Sequence, residues 1–283
     1  MSAIWKCIGM VVISSLLLMS CERVIQVNIK DEPLRFVVEG VLTDDSTCRV
    51  RLSQTSNFYD TINLRGVNGA RVTIAEDGKS PVVLSASNNR GEYTAPFTGQ
   101  SGKTYHLRVE YRDSVTNHVF TATSTMPQKV ALDSLYVSER IFLGKMRMIA
   151  AIRYKDPPAP GNAYRYVQRV DGELETTVFV TKDDLINGRT VVDELLIFND
   201  EYTLKKCDQL NVELQSIDQP VYLFWYSLNQ GSLGSSQSAS PGNPASNIKG
   251  GALGYFSAHA VSSMHIAVFP DSTCSYSDEN SRR

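Results

Sequence analysis

The sequence predicts a mainly β protein of two β-sandwich domains, with one amphipathic helix in the second domain. Three features predict this fold. After residue 34 the chain consists of short runs in which apolar and polar residues alternate, as in strands with one buried and one solvated face. Clusters of Gly, Asn and Asp separate these runs. One segment around Phe224 instead has the apolar spacing of a helix.

Residues 1–20 are predicted to be a lipoprotein signal peptide. Lys6 precedes an apolar run from Ile8 to Met19, which is too short to span a bilayer as a mature helix. A leucine three residues before Cys21 and a serine directly before it match a lipobox, in which the cysteine is acylated and becomes the first residue. We therefore expect Cys21 to be the lipidation site that anchors the protein to a membrane. An uncleaved anchor, or an ordinary signal peptide with a coincidental cysteine, is the alternative.

Residues 21–33 follow as a short lipidated tether that ends at Pro33. The sequence leaves open whether the anchored protein faces the periplasm or the cell surface.

Residues 34–127 are predicted to form the first sandwich. Alternation is cleanest at Tyr105, Leu107, Val109 and Tyr111, and about seven short strands at this spacing are typical of a sandwich. A longer loop at residues 53–66 interrupts the rhythm and carries Phe58 and Tyr59. These two aromatic residues are candidates for contact with a partner.

Residues 128–270 are predicted to form a second β-rich domain, because Pro127 ends the last strand of the first. Strands are expected at 130–142, 147–154, 163–171, 174–181, 190–198 and 208–216. A helix is expected at 219–231, where Val221, Phe224, Trp225 and Leu228 form an apolar stripe behind a capping Asp218. Tyr222 and Tyr226 lie off the stripe and are predicted to face outward as partner contacts.

A Ser- and Gly-rich loop follows the helix. It continues through Asn243 and Asn247 to Tyr255, three further candidates for partner contact, and a final strand is expected through Met264 and Val268. Residues 271–283 are polar and are predicted to be a disordered tail.

Charge and cysteine content limit the possible functions. The net charge of −2 gives no excess of Lys and Arg, so nucleic acid is not an expected partner. With Cys21 acylated, Cys48, Cys207 and Cys274 remain, an odd number that makes no disulfide framework. A Cys48–Cys207 pair and buried free thiols are the alternatives.

No motif in the sequence predicts catalysis. The histidines His106, His118, His259 and His265 do not have zinc-site spacing, and the glycine and serine run at 231–235 lacks the spacing of a nucleophile elbow. Adjacent carboxylates such as Asp44 and Asp45 point to opposite faces of a strand and suit a solvated turn, with a calcium site as the alternative. We predict no catalytic residue, no cofactor and no metal site.

Two resemblances follow from short motifs. Residues 67–74, 89–93 and 102–109 resemble the transthyretin-like or Ig-like type of sandwich, usually a presenting module. The motifs that begin at Cys21, Val37 and Asn243, with Gly254-Tyr255-Phe256-Ser257, resemble the Bacteroidetes outer-membrane lipoproteins of domain-of-unknown-function family 4249.

Members of that family have no established activity and are often encoded beside TonB-dependent receptors. The resemblance therefore implies an outer-membrane location and offers a TonB-dependent transporter as the partner. Because no catalytic motif is found, we expect a non-enzymatic accessory or ligand-presenting partner of that transporter. A stand-alone protein that binds glycans or other ligands at the cell surface is the alternative.

Overall fold

The computed structural model describes residues 33–56, 65–197, 202–232 and 242–269, together with Cys274. The described residues form sixteen strands and one helix. The strands are β1 (Phe36–Thr43), β2 (Cys48–Gln54), β3 (Arg65–Gly66), β4 (Arg71–Glu76), β5 (Val82–Ala86), β6 (Glu92–Ala95), β7 (Thr104–Arg112), β8 (Asn117–Thr125), β9 (Leu132–Phe142), β10 (Lys145–Lys155), β11 (Ala163–Val170), β12 (Glu173–Leu174), β13 (Phe179–Lys182), β14 (Thr190–Leu195), β15 (Gln209–Ile217) and β16 (Leu253–Ala267), and the helix is α1 (Gln219–Ser232).

Two packed layers form the first sandwich. One layer contains β1, β2 and β6, and the other contains β4, β7 and β8. Strand β5 pairs with both β4 and β6 and so joins the layers at one edge. Tyr105, Leu107 and Val109 point into the core between the layers, whereas His106 and Arg108 are exposed. The predicted mainly β sandwich fold is confirmed.

The second sandwich packs β9, β10 and β14 against β11, β13, β15 and the end of β16. Leu135, Ile152, Tyr164 and Leu214 lie in its core. The strands predicted in this region are found close to their expected bounds, with one exception. The prediction of a single strand at 174–181 is wrong, because the chain leaves the sheet between β12 and β13.

Strand β16 connects the two sandwiches. It pairs in parallel with β1 and antiparallel with β15, so that one sheet runs continuously through both sandwiches. Phe256 and Ala258 pack in the first core, and Met264 packs against the second. The predicted loop from Asn243 to Tyr255 is therefore wrong at its end, because residues from Leu253 onward belong to the strand. Whether residues 34–127 and 128–270 fold independently stays a prediction.

A glycine permits the close approach of β16 to β1. Gly254 has a φ of 98°, and a Cβ atom at this position would overlap the carbonyl oxygen of Val38. Only glycine adopts such a conformation without a steric penalty. The parallel pairing therefore depends on this residue.

The helix agrees with its predicted bounds and cap. The Asp218 carboxylate accepts a 3.1 Å hydrogen bond from the Val221 amide, which satisfies a backbone donor of the first turn. Val221 packs with Ala163 and Ile217 of the sheet. Within the described residues, no helix combines the length and the apolar character needed to cross a bilayer.

The cysteine pairing differs from the predicted candidate. Cys207 forms a disulfide with Cys274, with a Cα–Cα distance of 5.3 Å. Cys48 is a free thiol whose side chain is fully buried in the first core. Burial also raises the pKa of the Cys48 thiol to about 12, so it is an inert thiol, as the second alternative predicted.

Candidate functional site

A cleft of about 670 Å³ opens at one edge of the second sandwich. One wall is the segment 175–181, which includes the first three residues of β13, and the other is the segment 193–197 at the end of β14. Tyr166 and Asn229 complete the lining. The lining residues are Tyr166, Glu175, Thr176, Thr177, Val178, Phe179, Val180, Thr181, Asp193, Glu194, Leu195, Leu196, Ile197 and Asn229.

The cleft exists because both walls are sheet edges. Strand β13 pairs with β11 alone, and β14 pairs with β10 alone, among the strands of the described residues. Residues 175–178 lie between β12 and β13 and belong to neither strand. The two layers are therefore not closed against each other on this side, and the backbone at the edge of β14 stays accessible.

The register of β14 defines which backbone groups point outward. Asp156 and Arg189 are the next pair beyond the Lys155–Thr190 end of the β10–β14 ladder. The Asp156 amide donates to the Arg189 carbonyl at 2.9 Å, so these two residues form a hydrogen-bonded antiparallel pair. Because such pairs alternate along the ladder, Val191, Asp193 and Leu195 turn their backbone groups toward β10. The amide and carbonyl groups of Thr190, Val192 and Glu194 therefore point away from the sheet.

A buried hydrogen-bond network forms the floor of the cleft. The Tyr166 hydroxyl donates to the Asp193 carboxylate, and the hydroxyl groups of Tyr154 and Tyr166 are 2.9 Å apart. Burial raises the pKa of Tyr166 well above its usual value. The phenol therefore stays protonated and serves as a hydrogen-bond donor at neutral pH.

The carboxylates at the mouth of the cleft are engaged by neighbouring groups. Glu175 accepts hydrogen bonds from the amide and the hydroxyl of Thr177 at 3.1 and 2.8 Å. Glu194 accepts from the Ser138 hydroxyl at 2.8 Å and from Arg140 at 2.6 Å. The Arg140 hydrogen bond is the main cause that lowers the pKa of Glu194. These acids are held in fixed positions, which suits recognition of cations or hydroxyl groups.

A second pair of buried acids lies close to this network. The Tyr164 hydroxyl donates to Asp156 at 2.5 Å, and the Asn162 amide donates to Asp183 at 2.8 Å. Burial raises the pKa of Asp156, and the charge of Asp183 raises it further. Neither acid lines the cleft. They fix the two loops that support β11 and β14.

Of the aromatic residues predicted to contact a partner, one on the helix is buried. Tyr222 is 8% exposed, so its predicted outward position is wrong. It packs with Val180 of β13, and the Lys182 ammonium group lies 4.9 Å from its ring centroid. Tyr226 is 45% exposed and stacks on Tyr222 at 5.6 Å. The contact role of Tyr226 stays a prediction.

Tyr255 packs between the helix and the sheet. Its ring centroid lies 4.7 Å from Phe224 and 5.1 Å from Trp225. The guanidinium group of Arg165 stacks on Trp225, 3.7 Å from its ring centroid. This packing explains why Tyr255 is not displayed on a loop as predicted.

The two asparagines of the predicted contact loop differ. The Asn247 side chain donates to the Phe256 carbonyl at 2.7 Å and accepts from its amide at 2.9 Å, so it holds the loop against β16. Asn243 is exposed, and its contact role stays a prediction. Cys21, Phe58 and Tyr59 lie outside the described residues.

The sequence prediction missed the cleft. The residues of one wall were predicted as a single strand, and the run of β-branched and aromatic residues at 176–181 supports that interpretation. The break at 175–178 arises because different segments pair with β11 on either side of it. The two segments pair with β11 in registers that differ by two residues, and the alternation pattern of the sequence does not predict this shift.

A family model described as a domain of unknown function, DUF4249, matches residues 22–265 of the chain. Among curated proteins, no match was found.

Several solved structures from chicken are similar to parts of the chain. The two-domain fibronectin type III segment of tenascin has 10% identity and a TM-score of 0.24, covering 66% of this chain and 92% of its own. Domains FN1–FN3 of CNTN1 have 12% identity and a TM-score of 0.29, and the match covers 66% of this chain and 62% of the CNTN1 chain. The interferon gamma receptor alpha chain has 9% identity and a TM-score of 0.22, covering 65% and 89%.

Proposed function

Because the chain belongs to the DUF4249 family, a domain of unknown function, we propose from its own geometry that it is a non-catalytic binding protein, anchored by lipid at the outer membrane. The observation that carries the proposal is the cleft between the edges of β13 and β14. Exposed strand edges bind extended segments through backbone hydrogen bonds, and neighbouring side chains provide the specificity.

The partner that we propose is a TonB-dependent outer-membrane transporter. The resemblance to lipoproteins encoded beside such receptors supports this choice, and so do the outward-pointing backbone groups of Thr190 and Val192 at the edge of β14. An extended transporter segment would pair with β14, and its side chains would enter the cleft beside Phe179 and Leu196. The chain would then act as an accessory or ligand-presenting protein.

The anchoring part of the proposal depends on Cys21. Its lipobox-like context and the short apolar run before it support acylation at this residue. Two or three acyl chains at one cysteine give stable attachment, whereas a single chain binds a membrane only weakly.

A non-catalytic function is supported by the state of the acids at the cleft. Asp193 is bonded to Tyr166, Glu175 to Thr177, and Glu194 to Arg140. General acid–base catalysis needs a group that can exchange its proton with a substrate, and these carboxylates are instead held by structural partners.

A stand-alone ligand-binding function is the second candidate, and the size of the cleft favours it. Small-molecule sites typically have volumes of roughly 300–1,000 Å³, a range that includes this cleft of about 670 Å³. Its threonines and acids suit a polyhydroxylated ligand such as a glycan.

Affinity purification from mild detergent tests the first proposal. We expect the wild-type protein to recover a large β-barrel protein in stoichiometric amount. The variant Val192→Pro removes the outward amide but leaves the pairing with β10, because edge strands tolerate proline. Loss of one backbone hydrogen bond of about 1 kcal/mol, with the added steric block, should reduce recovery roughly tenfold.

Val192→Thr is the matched control, because threonine keeps the amide and favours a strand. We expect it to recover the barrel as the wild type does. Recovery of the lipoprotein alone, from gently handled membranes, would contradict the transporter proposal. Saturable binding in a glycan panel, lost in Phe179→Ala, would instead support the stand-alone function.

A further inference from the structure

The β9–β10 hairpin carries an apolar stripe beyond the core of the second sandwich. Leu135 and Ile152 face each other within the core, and each is less than a tenth exposed. Because side chains two residues apart share a face, Ile141 and Met146 continue this stripe to the end of the hairpin, where they pair with each other. There they are 73% and 60% exposed.

The turn at the end of the hairpin displays a third apolar residue. Leu143 and Gly144 form a two-residue turn in which both have positive φ, 48° and 77°. Asparagine and glycine favour such turns, and a leucine in this conformation is strained. Leu143 is nevertheless 72% exposed at the apex, so no burial within the described fold compensates for the strain.

The hairpin is held in place from its other face. Arg140 forms an ion pair of 2.6 Å with Glu194 of β14, and Ser138 donates to the same carboxylate. The Arg147 guanidinium lies 4.9 Å from the ring centroid of Phe142. The apolar end is therefore a preorganised projection, and its display does not require a conformational change.

Charge identifies what this end would contact. Residues 140–147 contain Arg140, Lys145 and Arg147 and no acidic residue, and one exposed acid, Glu139, precedes them on the face of Ile141. Arg140 and Lys145 are exposed on the face opposite Ile141. An apolar end with cationic side chains beside it matches the interface of a bilayer, where acyl chains lie below anionic phosphates.

We propose that this membrane-contacting tip, formed by residues 140–147, inserts Ile141, Leu143 and Met146 into the surface of a phospholipid bilayer. Lys145, which is exposed beside the turn, would contact the lipid phosphates, while Arg140 stays paired with Glu194. Three side chains give weak binding on their own, so the tip would orient a protein that is already held at the membrane rather than anchor it.

Fluorescence quenching tests the proposal on the full chain. A Met146→Cys variant is labelled with an environment-sensitive fluorophore and tethered by a C-terminal histidine tag to vesicles of phosphatidylethanolamine, phosphatidylglycerol, a nickel-chelating lipid and a lipid quenched along its acyl chains. This tether makes the result independent of acylation at Cys21. We expect the label to be quenched, and less so when phosphatidylcholine replaces phosphatidylglycerol.

Val115→Cys is the matched control, because Val115 is 90% exposed in the β7–β8 turn beside the acidic Asp113. Its label should stay unquenched. Equal quenching of the two labels would overturn the proposal, and so would shielding of the label at 146 that appears only when a protein partner is added.

Leu143→Asn separates docking from folding. Asparagine relieves the strained turn, so we expect a higher melting temperature. Loss of the apolar side chain should nevertheless reduce the ratio of docked to undocked tip by about tenfold. Unchanged quenching in this more stable variant would contradict the proposal.

Discussion

The Ser124 hydroxyl donates a 2.8 Å hydrogen bond to the carboxylate of Asp218. Ser124 lies on β8 of the first sandwich, and Asp218 caps the helix that packs on the second. The same serine oxygen accepts the Ala258 amide of β16 at 2.9 Å. This pair therefore connects the helix to both strands at the junction of the sandwiches.

Removal of the Asp218 carboxylate should destabilise the whole protein. Asp218→Ala loses the helix cap and leaves the Ser124 and Thr125 donors without their acceptor, and we expect a loss of about 2–3 kcal/mol in the free energy of unfolding. Burial raises the pKa of Asp218, so Asp218→Asn removes a desolvation cost and keeps a capping oxygen. Urea unfolding should show a smaller loss for this control, and an equal loss would count against a capping role.

The parallel pairing of β1 and β16 depends on Gly254. In Gly254→Ala the new methyl group would overlap the Val38 carbonyl oxygen in a positive-φ conformation, and we expect a loss of about 3 kcal/mol or more. Gly251→Ala is the control, because Gly251 also has positive φ, 89°, but has open space around its Cβ position. It should lose about 1–2 kcal/mol. Thermal unfolding compares the two, and similar losses would show that strain alone decides the effect.

His259 should make stability depend on pH. It is 4% exposed on β16, and its Nδ1 atom lies 2.8 Å from the Ser257 hydroxyl. Burial first, and the charge of Arg165 second, lower the pKa of His259 to about 4, although Asp44 opposes them. The folded-state pKa lies below the ordinary value of 6.5, so protonation of His259 favours the unfolded state. The stability that the neutral imidazole contributes is therefore complete above pH 6.5 and is lost as the pH falls toward 4.

The difference in the free energy of unfolding between the wild type and His259→Gln isolates the effect of protonating His259. Between pH 6.5 and 4 the wild type should lose up to about 1.4 kcal/mol per pH unit more than the variant. Urea unfolding at intervals across this range measures it. Parallel stability curves for the two proteins would show that His259 does not titrate in this window.

The Cys207–Cys274 disulfide should respond to reduction. It links residues 67 positions apart, and its removal by dithiothreitol should cost about 2–4 kcal/mol. Cys274→Ser should lose the response to reductant, whereas Cys48→Ala should keep it, because Cys48 is a buried thiol. A response that disappears in Cys48→Ala would restore the Cys48–Cys207 pair of the sequence prediction.

The features that the sequence predicted correctly depend on local patterns. The helix bounds follow from the spacing of Val221 and Phe224, and its start follows from the capping side chain of Asp218. Alternation in β7 likewise gave the buried face of that strand. In each case the residues that decide the structure are neighbours in the sequence.

The features that the sequence did not predict depend on distant contacts. Tyr222 borders the apolar stripe of the helix, and it is buried because Val180 and Lys182 of β13 cover that side. The parallel pairing of β16 with β1 joins segments far apart in the chain. The cleft forms because the consecutive strands β13 and β14 pair with strands of different layers. Periodicity in one segment carries no information about the partner of that segment.

The most direct test of the proposed function is photo-crosslinking from the cleft in living cells. A photoreactive phenylalanine analogue replaces Leu196, which lines the cleft, and Val115 in the β7–β8 turn is the control site. The proposal predicts that the analogue at 196 crosslinks to a TonB-dependent transporter and that the analogue at 115 does not. A protein that is expressed and folded, but whose cleft gives no crosslink or the same products as position 115, would contradict the account.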